Sequence, residues 1–542
     1  MKKLLLGDEA IAQGAIDAGL SGVYAYPGTP STEITEYIQM SAVAKERGIH
    51  SRWSTNEKTA MEAALGMSFM GKRALVCMKH VGLNVCADPF VNSAMTGTNG
   101  GLVVLVADDP SMHSSQDEQD SRFYAKFAMV PTLEPSTQQE AYDMMQEAFD
   151  LSEQLRLPIL MRVTTRMAHS RAVVQVKDEP RQQNELNYNA EASSWVLLPA
   201  FARKRNDIVT AQQPLLEQMA VDSKYNKYVD GSSRQLGVIA SGIAYNYLME
   251  SFPDGCPFPV LKVSQYPLPK QLVRRMTDDC AEVLVCEEGQ PFIEDQVRGT
   301  MPGNAVIRGR LTGELPRTGE LTPDLVKKAV AQLSGLKSQF STQDECFAPC
   351  EDVVPRPPAL CQGCGHRDVY TALNQVLLNY PQARVFGDIG CYTLGFLPPF
   401  KAIHSCVDMG ASITMAKGAA DAGQWPSVAI IGDSTFTHSG MTGLLDAINE
   451  QADITVIISD NLTTAMTGGQ DSAGTNKFEA ICRGLGHADE HLHVVNPIPK
   501  NMPDITAILD REINYHGPSV IIPRRECMQT LQRHLKQKKN NS

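Results

Sequence analysis

The sequence predicts an α/β protein with three domains and mostly parallel sheets. Its 542 residues are too many for one hydrophobic core, which favours several domains. Short, continuous apolar runs recur along the chain, as is typical of strands covered on both faces. Alanine-rich stretches with a helical pattern separate these runs, and the alternation indicates parallel strands joined by helices.

The first α/β domain is expected over residues 1–185. Within it, "RALVCM" (73–78) and "GGLVVLVAD" (100–108) predict two strands, and "NEKTAMEAALGMSFMG" (56–71) predicts a helix. Residues 186–233 are polar and predict a linker with a helical middle.

A middle α/β domain is expected over residues 234–340, from "QLGVIASGIAYNYLMES" and "AEVLVCEEG". Prolines in the stretch 341–358 prevent regular structure and predict a second linker. The last α/β domain is expected over residues 359–542. Its strand candidates are "ARVFGDIG", "SVAIIGDST", "DITVIISDN" and "GPSVIIPRR".

Composition and charge narrow the functional class. The net charge of −12 argues against nucleic-acid binding, which needs a basic surface to neutralise phosphates. The apolar start "MKKLLL" ends too early for a signal peptide, and no stretch approaches the roughly 18 apolar residues of a membrane span. A cytoplasmic protein is therefore expected, in which the 13 cysteines are free thiols or ligands rather than disulfides.

The strongest chemical signal is a strand, a Gly-Asp-Ser turn, a helix, and a second strand that ends in Asp-Asn. This crossover places Asp433 and Asn461 at the carboxyl ends of two parallel strands, the edge where open α/β sheets bind ligands. Gly432 permits a sharp turn and the close approach of a phosphate. The side-chain oxygens suit Mg²⁺ bound to a diphosphate. Two ordinary strand-end turns are the alternative, because Asp and Asn favour turns.

The pattern resembles the signature of thiamine-diphosphate enzymes, which begins with Gly-Asp and ends with Asn. Asn461 follows Asp433 by 28 residues, and Ser434 stands where many members have glycine. The resemblance implies that Asp433, Asn461 and a backbone carbonyl near Thr463 hold the metal.

Five motifs, which occur along the chain in the order expected for one family, make the resemblance more specific. They are "YAYPGTPSTEI" (24–34), "CMKHVGLNVCADP" (77–89), "ALCQGCGHR" (359–367), "GDIGCYTLG" (387–395) and "GDSTFTHSG" (432–440). Together they resemble the 2-oxoacid:ferredoxin oxidoreductases, most closely the large subunits of the indolepyruvate type. The resemblance implies a pyrimidine-binding first domain, a middle domain like the transketolase C-terminal domain, and a diphosphate-binding last domain.

In this family a glutamate of the pyrimidine domain forms a hydrogen bond with the aminopyrimidine ring of the cofactor. Glu57, followed by Ala60, Ala64 and Gly66, resembles that element, and Glu62 is the second choice. The alternative is a first-turn acid stabilised by the helix macrodipole.

Three further residues are implied near the cofactor or the substrate. The family places the threonine of the "TPS" element near the substrate carboxylate, which maps to Thr29 with Ser31 beside it; both could simply cap the helix that follows. His80 is a candidate near the cofactor, and a core histidine is equally consistent. His404, His438 and Arg122 are weaker candidates.

The Cys361–Cys364 pair could be a redox disulfide, half of a zinc site, half of an iron–sulfur site, or neither. The resemblance implies one 4Fe–4S cluster in the diphosphate-binding domain, with Cys391 and Cys527 as the remaining ligands and Cys482 in reserve. Zinc is the main competitor, but it normally uses two CxxC-like pairs. The linker residues Cys346 and Cys350 have no assigned role.

The resemblance implies oxidative decarboxylation of a 2-oxoacid, in particular an aryl pyruvate such as indolepyruvate, to an acyl-CoA. Coenzyme A is the expected co-substrate, and ferredoxin or another carrier accepts the electrons. A smaller β subunit and a dimer of heterodimers are expected. A two-cluster ferredoxin-like module, usual in this subunit type, is not expected, because the 15 residues after Cys527 contain no cysteine. The alternatives are a non-oxidative thiamine-dependent 2-oxoacid decarboxylase and a non-catalytic subunit with the same fold.

Overall fold

The computed structural model describes residues 1–188, 192–300, 303–335 and 357–540, together with Asp352 and Val354. The chain divides into two compact units, Met1–Cys346 and Phe347–Ser542. Most of the predicted linker 341–358, including Cys346 and Cys350, lies outside the described residues. No helix in the described ranges is long and apolar enough to cross a membrane.

The first part of the first unit alternates strands and helices. The strands are β1 Lys2–Leu6, β2 Gly22–Ala25, β3 His50–Trp53, β4 Ala74–Lys79, β5 Leu102–Asp108, β6 Thr132–Leu133, β7 Ile159–Thr164 and β8 Arg171–Gln175. The helices are α1 Gly7–Asp17, α2 Thr32–Met40, α3 Ala42–Glu46, α4 Glu57–Phe69, α5 His80–Val85, α6 Ala87–Thr96, α7 Arg122–Ala128, α8 Gln138–Leu155 and α9 Thr165–His169.

The predicted strands β4 and β5 form as expected and are buried along nearly their whole length. They lie inside a seven-stranded sheet of order β12-β6-β7-β5-β4-β2-β3, where β12 is the later strand Gln265–Tyr266. Every pairing in this sheet except β12 with β6 is parallel. Strands β1 and β8 form a separate antiparallel pair. The central strands β4 and β5 are buried on both faces, as is typical of parallel strands that helices cover on both sides.

The remainder of the first unit begins with the helix α10 Pro199–Val221, which is the helical middle predicted for residues 186–233. The strands that follow are β9 Lys227–Val229, β10 Leu236–Ser241, β11 Val260–Val263, β12 Gln265–Tyr266, β13 Glu282–Cys286 and β14 Val306–Arg308. The helices are α11 Ile243–Glu250, α12 Lys270–Asp279, α13 Phe292–Thr300 and α14 Pro323–Ser334. Five strands form a sheet of order β14-β13-β10-β11-β9, parallel except for β9.

The second unit contains one five-stranded parallel sheet. Its strands are β15 Arg384–Gly387, β16 Ser427–Gly432, β17 Ile454–Ser459, β18 Leu492–Val495 and β19 Ser519–Pro523. Its helices are α15 Gly365–Leu377, α16 Ala411–Asp421, α17 Asp433–Thr435, α18 Met441–Asn449, α19 Phe478–Gly484, α20 Met502–Ile513 and α21 Met528–Asn540. The strand order is β15-β16-β17-β19-β18. All four predicted strands are present.

The sheets confirm the predicted α/β fold with predominantly parallel strands. The domain limits at residues 185, 233, 340 and 358 stay predictions. In the second unit, every strand runs in the same direction, so the carboxyl ends of β15, β16, β17 and β19 meet along one edge.

Candidate cofactor and metal sites

Asp433 directly follows β16 and is buried at the carboxyl edge of the sheet. Its Oδ1 accepts the Ser434 N–H at 2.7 Å, and its Oδ2 accepts the Thr463 N–H at 3.0 Å. Burial, and secondarily the charge of Asp460, raises the pKa of Asp433 to about 7. Within the described residues Asp433 has no ion-pair partner, so a bound cation would offset the cost of burying its carboxylate.

Asn461 reaches the same backbone group from the neighbouring strand end. Its Oδ1 accepts the Thr463 N–H at 3.2 Å, so the Asp433 and Asn461 side-chain oxygens converge on Thr463. The Thr463 hydroxyl donates to the Gln470 carbonyl at 2.9 Å, which ties down the loop after β17. Carboxylate and amide oxygens are among the ligands that Mg²⁺ prefers.

Gly432 has an extended backbone with φ −81°, so the turn itself does not require glycine. A Cβ at this position would lie 2.6 Å from the Tyr392 ring, which is closer than real Cβ contacts. Glycine is therefore needed for the close approach of Tyr392.

Asp388 is a buried group that the sequence reasoning missed. It follows β15, its Oδ2 accepts the Ser412 hydroxyl at 2.7 Å and the Gly410 N–H at 3.1 Å, and Tyr392 donates its hydroxyl to Oδ1. Burial raises the pKa of Asp388 to about 6. The signal was present in the sequence, because Gly387-Asp388 repeats the Gly-Asp pair of residues 432–433 at the end of the adjacent strand.

The four predicted cluster cysteines line one cavity of about 170 Å³ in the second unit. Cys361 and Cys364 precede α15, Cys391 follows β15, and Cys527 follows β19. The same cavity is also lined by Asn461. Four thiols from three separate segments therefore converge, as an iron–sulfur cluster requires.

The thiols also interact electrostatically. Burial, followed by the charges of Cys527, Cys364 and Cys361, raises the pKa of Cys391 to about 12. Tetrahedral zinc with bonds of about 2.3 Å would hold its sulfurs about 3.8 Å apart. Among the described residues, no three of these four sulfurs all lie within 4.8 Å of one another.

The reserve candidate, Cys482, lies in a different environment. It is on α19 and packs in the hydrophobic core with Phe478 and Leu485. Cys527, by contrast, donates its backbone N–H to the Asn461 carbonyl at 3.0 Å, which links the cysteine cavity to the loop of the candidate Mg²⁺ site.

Glu57 is the first residue of α4, and only 4% of it is exposed. A Cβ on Gly82 of α5 would lie 2.6 Å from Glu57 Oε1, so the carboxylate packs directly against that glycine. Glu62, the second choice, is half-exposed and forms an ion pair with Lys58. Of these two glutamates, only Glu57 is shielded from solvent.

His80 is the first residue of α5 and is almost fully buried. Its Nε2 lies 3.2 Å from the Asp117 carbonyl. Its Nδ1 is buried and has no hydrogen-bond partner among the described residues. A ligand with a polar group could supply that partner.

Thr29 and Ser31 belong to a tight turn before α2, and the Thr29–Pro30 peptide bond is cis. The Ser31 hydroxyl donates to the Gly28 carbonyl at 2.8 Å rather than accepting a helix N–H, so Ser31 does not cap α2 through its side chain. The Gly28 N–H donates to the Thr32 hydroxyl at 3.1 Å.

The three weaker candidates have structural contacts. Arg122 is buried and forms ion pairs with Asp120 and Glu287 in the first unit. His404 Nδ1 accepts the Val385 N–H at 2.9 Å. His438 Nδ1 lies 2.6 Å from the Ser439 hydroxyl.

Comparison with known families gives matches in both units. Residues 13–232 match the family described as the thiamine-diphosphate-binding part of pyruvate flavodoxin/ferredoxin oxidoreductase. Residues 388–522 match the C-terminal thiamine-pyrophosphate-binding domain of thiamine pyrophosphate enzymes.

Curated relatives match nearly the whole chain. The chain is 39% identical to the indolepyruvate oxidoreductase subunit IorA of Archaeoglobus fulgidus, across 97% of this chain and 86% of the relative. The IorA subunit of Methanothermobacter thermautotrophicus is 39% identical, with coverages of 97% and 87%. The IorA subunit of Pyrococcus horikoshii is 36% identical, with coverages of 97% and 86%.

A solved structure, 2-oxoglutarate:ferredoxin oxidoreductase from Magnetococcus marinus with 2-oxoglutarate, coenzyme A and succinyl-CoA bound, shares the fold. The TM-score is 0.50 at 16% identity, and the match covers 61% of this chain and 65% of that one.

Proposed function

Since this chain belongs to the thiamine-diphosphate-dependent 2-oxoacid:ferredoxin oxidoreductases, in the indolepyruvate oxidoreductase IorA subunit family, we propose that it oxidatively decarboxylates an aryl 2-oxoacid to an acyl-CoA. The assignment as a 2-oxoacid oxidoreductase follows from the family. The aryl substrate, the coenzyme A, the metal and the cluster are our proposals.

Asp433, Asn461 and the Thr463 backbone carbonyl hold Mg²⁺ in this proposal. The convergence of the Asp433 and Asn461 oxygens, which both accept the Thr463 N–H, supports it, because both oxygens already lie at one point of the sheet edge. Gly432 and Ser434 flank Asp433, and the Ser434 N–H fixes the orientation of the carboxylate. Bound thiamine diphosphate would supply the carbon nucleophile that removes CO₂ from a 2-oxoacid.

Glu57 accepts a hydrogen bond from the aminopyrimidine ring in this proposal. Its burial at the start of α4 supports the role, because a desolvated carboxylate binds a ring N–H more strongly than an exposed one does. His80, whose buried Nδ1 has no hydrogen-bond partner in the described part of the chain, is proposed to contact the cofactor.

Thr29 and Ser31 bind the substrate carboxylate in this proposal. The turn that they form directly precedes the N-terminus of α2, where backbone N–H groups and the helix dipole favour an anion. The aryl group of the substrate is proposed from the IorA relatives alone.

Cys361, Cys364, Cys391 and Cys527 are proposed to hold one 4Fe–4S cluster. Their convergence on one cavity is the observation that carries the proposal. A non-oxidative decarboxylase would have no use for such a site. Electrons leave the cluster for ferredoxin or another carrier, and a smaller β subunit joins this chain in a dimer of heterodimers.

The test is anaerobic purification of the chain with its smaller subunit, followed by iron and sulfide analysis and by assays of several 2-oxoacids with coenzyme A and a viologen dye. We expect about four iron and four sulfide per chain, and dye reduction that is fastest with aryl pyruvates. If iron and sulfide are absent while CO₂ is still released, the protein is a non-oxidative decarboxylase. If CO₂ is not released, the chain is a non-catalytic subunit.

A further inference from the structure

The first unit contains a cluster of three potential metal ligands that does not include any of the candidate cofactor, substrate or iron–sulfur residues. Asp8, Glu33 and His169 each place one ligand atom within 4.8 Å of the other two. The three residues come from the ends of three helices. Asp8 is in the first turn of α1, Glu33 is in the first turn of α2, and His169 is the last residue of α9.

Close backbone packing brings these helix ends together. The Gly7 N–H donates to the Ser170 carbonyl at 3.1 Å. A Cβ on Gly7 would lie 2.0 Å from the Met167 carbonyl oxygen, so only glycine allows α1 to begin this close to α9. Asp8 and His169 are therefore held beside each other by the main chain.

Glu33 and His169 form the outer part of the cluster. Their Oε1 and Nε2 atoms lie 3.6 Å apart, and the side chains are 38% and 35% exposed. An ion in solution can reach this pair directly.

Asp8 forms the inner part, and its environment points to a missing ligand. The residue is fully buried, and within the described ranges neither carboxylate oxygen has a hydrogen-bond partner. The buried Oε2 of Glu33 also lacks a partner there. Burying carboxylate oxygens without a hydrogen bond or a counter-ion is costly, and native structures rarely tolerate it.

The surrounding charges do not relieve this cost. Burial, followed by the charges of Glu33 and Glu9, raises the pKa of Asp8 well above its ordinary value. Glu33 raises the pKa of His169, so without a metal the imidazole pairs with Glu33. With a metal bound, two ionised carboxylates and a neutral imidazole would carry two negative charges, which one divalent cation would balance.

We propose that Asp8, Glu33 and His169 bind a divalent first-row transition metal such as Mn²⁺, with ligands different from those of the Asp433 site. One imidazole nitrogen and two carboxylates suit such an ion, whereas Mg²⁺ and Ca²⁺ prefer oxygen ligands alone. Glu33 follows Ser31 by two residues, so the ion fixes the start of α2 and the turn that includes Thr29 and Ser31. The site goes beyond the proposed function, and its test requires no turnover.

The test is a Mn²⁺ titration of the full chain, purified anaerobically and saturated with thiamine diphosphate and excess Mg²⁺, with free Mn²⁺ measured by electron paramagnetic resonance. Wild type is expected to bind one more Mn²⁺ than Asp8→Asn. Removal of a ligand should weaken binding at least about tenfold, since even outer-shell partners contribute that much. The control Glu46→Gln, an exposed carboxylate on α3, should bind Mn²⁺ like wild type.

The proposal is overturned if wild type and Asp8→Asn bind the same number of Mn²⁺ ions with the same affinity. His169→Gln provides the second variant, because this partly exposed side chain can be replaced without disturbing the core. If Asp8→Asn fails to fold, an unchanged Mn²⁺ affinity in His169→Gln overturns the site. Mn²⁺ is also expected to raise the unfolding temperature of wild type and not that of His169→Gln.

Discussion

Glu57 and Glu62 lie five residues apart on α4, yet their surroundings differ. Glu57 is buried against Gly82, and Glu62 is half-exposed beside Lys58. Residues five apart lie on different sides of a helix, and the sequence pattern alone did not show which side of α4 is buried.

We expect Glu57→Gln to lower turnover by about 10²–10⁴-fold, the range typical of a lost general acid–base group, while thiamine diphosphate still binds. Exchange of the cofactor's C2 proton, followed by NMR, and cofactor affinity, measured by calorimetry, check this expectation. The matched substitution Glu62→Gln should leave both unchanged. Full turnover in Glu57→Gln would contradict the assigned role.

Asp433 combines burial with a convergent position at the sheet edge. We expect Asp433→Asn to weaken Mg²⁺-dependent binding of thiamine diphosphate by at least about tenfold, because the ion loses a charged ligand. Calorimetric titration at fixed Mg²⁺ measures the change. Asp471→Asn, an exposed position in the same loop region, is the control and should bind like wild type. Equal affinity in the two variants would remove Asp433 from the metal site.

At the scale of elements, the contact between α4 and α5 holds Glu57 in place. Gly82 lies where any side chain would meet the Glu57 carboxylate, so two helix starts depend on one glycine. The Thr59 N–H also donates to the Asn56 side chain at 2.8 Å, which caps α4 one residue before Glu57.

We expect Gly82→Ala to displace the Glu57 side chain and to lower kcat strongly, with a loss of about 1–3 kcal/mol of stability from overpacking. Gly66→Ala is the control, because a Cβ there meets no neighbouring atom. This change should stabilise α4 by about 0.5–1 kcal/mol. Steady-state kinetics and thermal unfolding separate the two effects. A Gly82→Ala variant with normal kcat would show that Glu57 need not hold its position.

At the scale of the whole molecule, strand order in the second unit decides which loops meet. Strand β17 pairs with β19 rather than with β18, and the bridge between Asp460 and Arg524 extends this pairing beyond the strands. The carboxyl end of β19 therefore lies beside Asn461, and Cys527 lines the same cavity as the other three cysteines.

This arrangement predicts the iron content of two variants. We expect Cys527→Ser to lose most of its iron and sulfide, because a 4Fe–4S cluster needs four thiolates. We expect Cys482→Ser to keep both, because Cys482 packs in the apolar core. Chemical analysis and visible absorbance after anaerobic purification measure the difference. Loss of iron in Cys482→Ser with retention in Cys527→Ser would reverse the assignment.

The amino-acid sequence by itself determined the parallel α/β fold and the positions of Asp433 and Asn461. Both follow from local patterns, since buried apolar runs define strands and the polar residues after them define strand ends. Motifs within short segments were enough to identify the candidate residues Glu57, Thr29 and the first three cysteines.

Only the tertiary structure shows that Cys527 lines the cavity of the other three cysteines while Cys482 packs in the core, and that Glu57 is buried while Glu62 is exposed. It also revealed Asp388 and the Asp8–Glu33–His169 cluster, whose first and last members lie 161 positions apart in the chain (169 − 8). The physical reason is that strand order and helix packing depend on contacts between distant segments, such as β17 with β19 or α1 with α9, and local patterns carry no record of them.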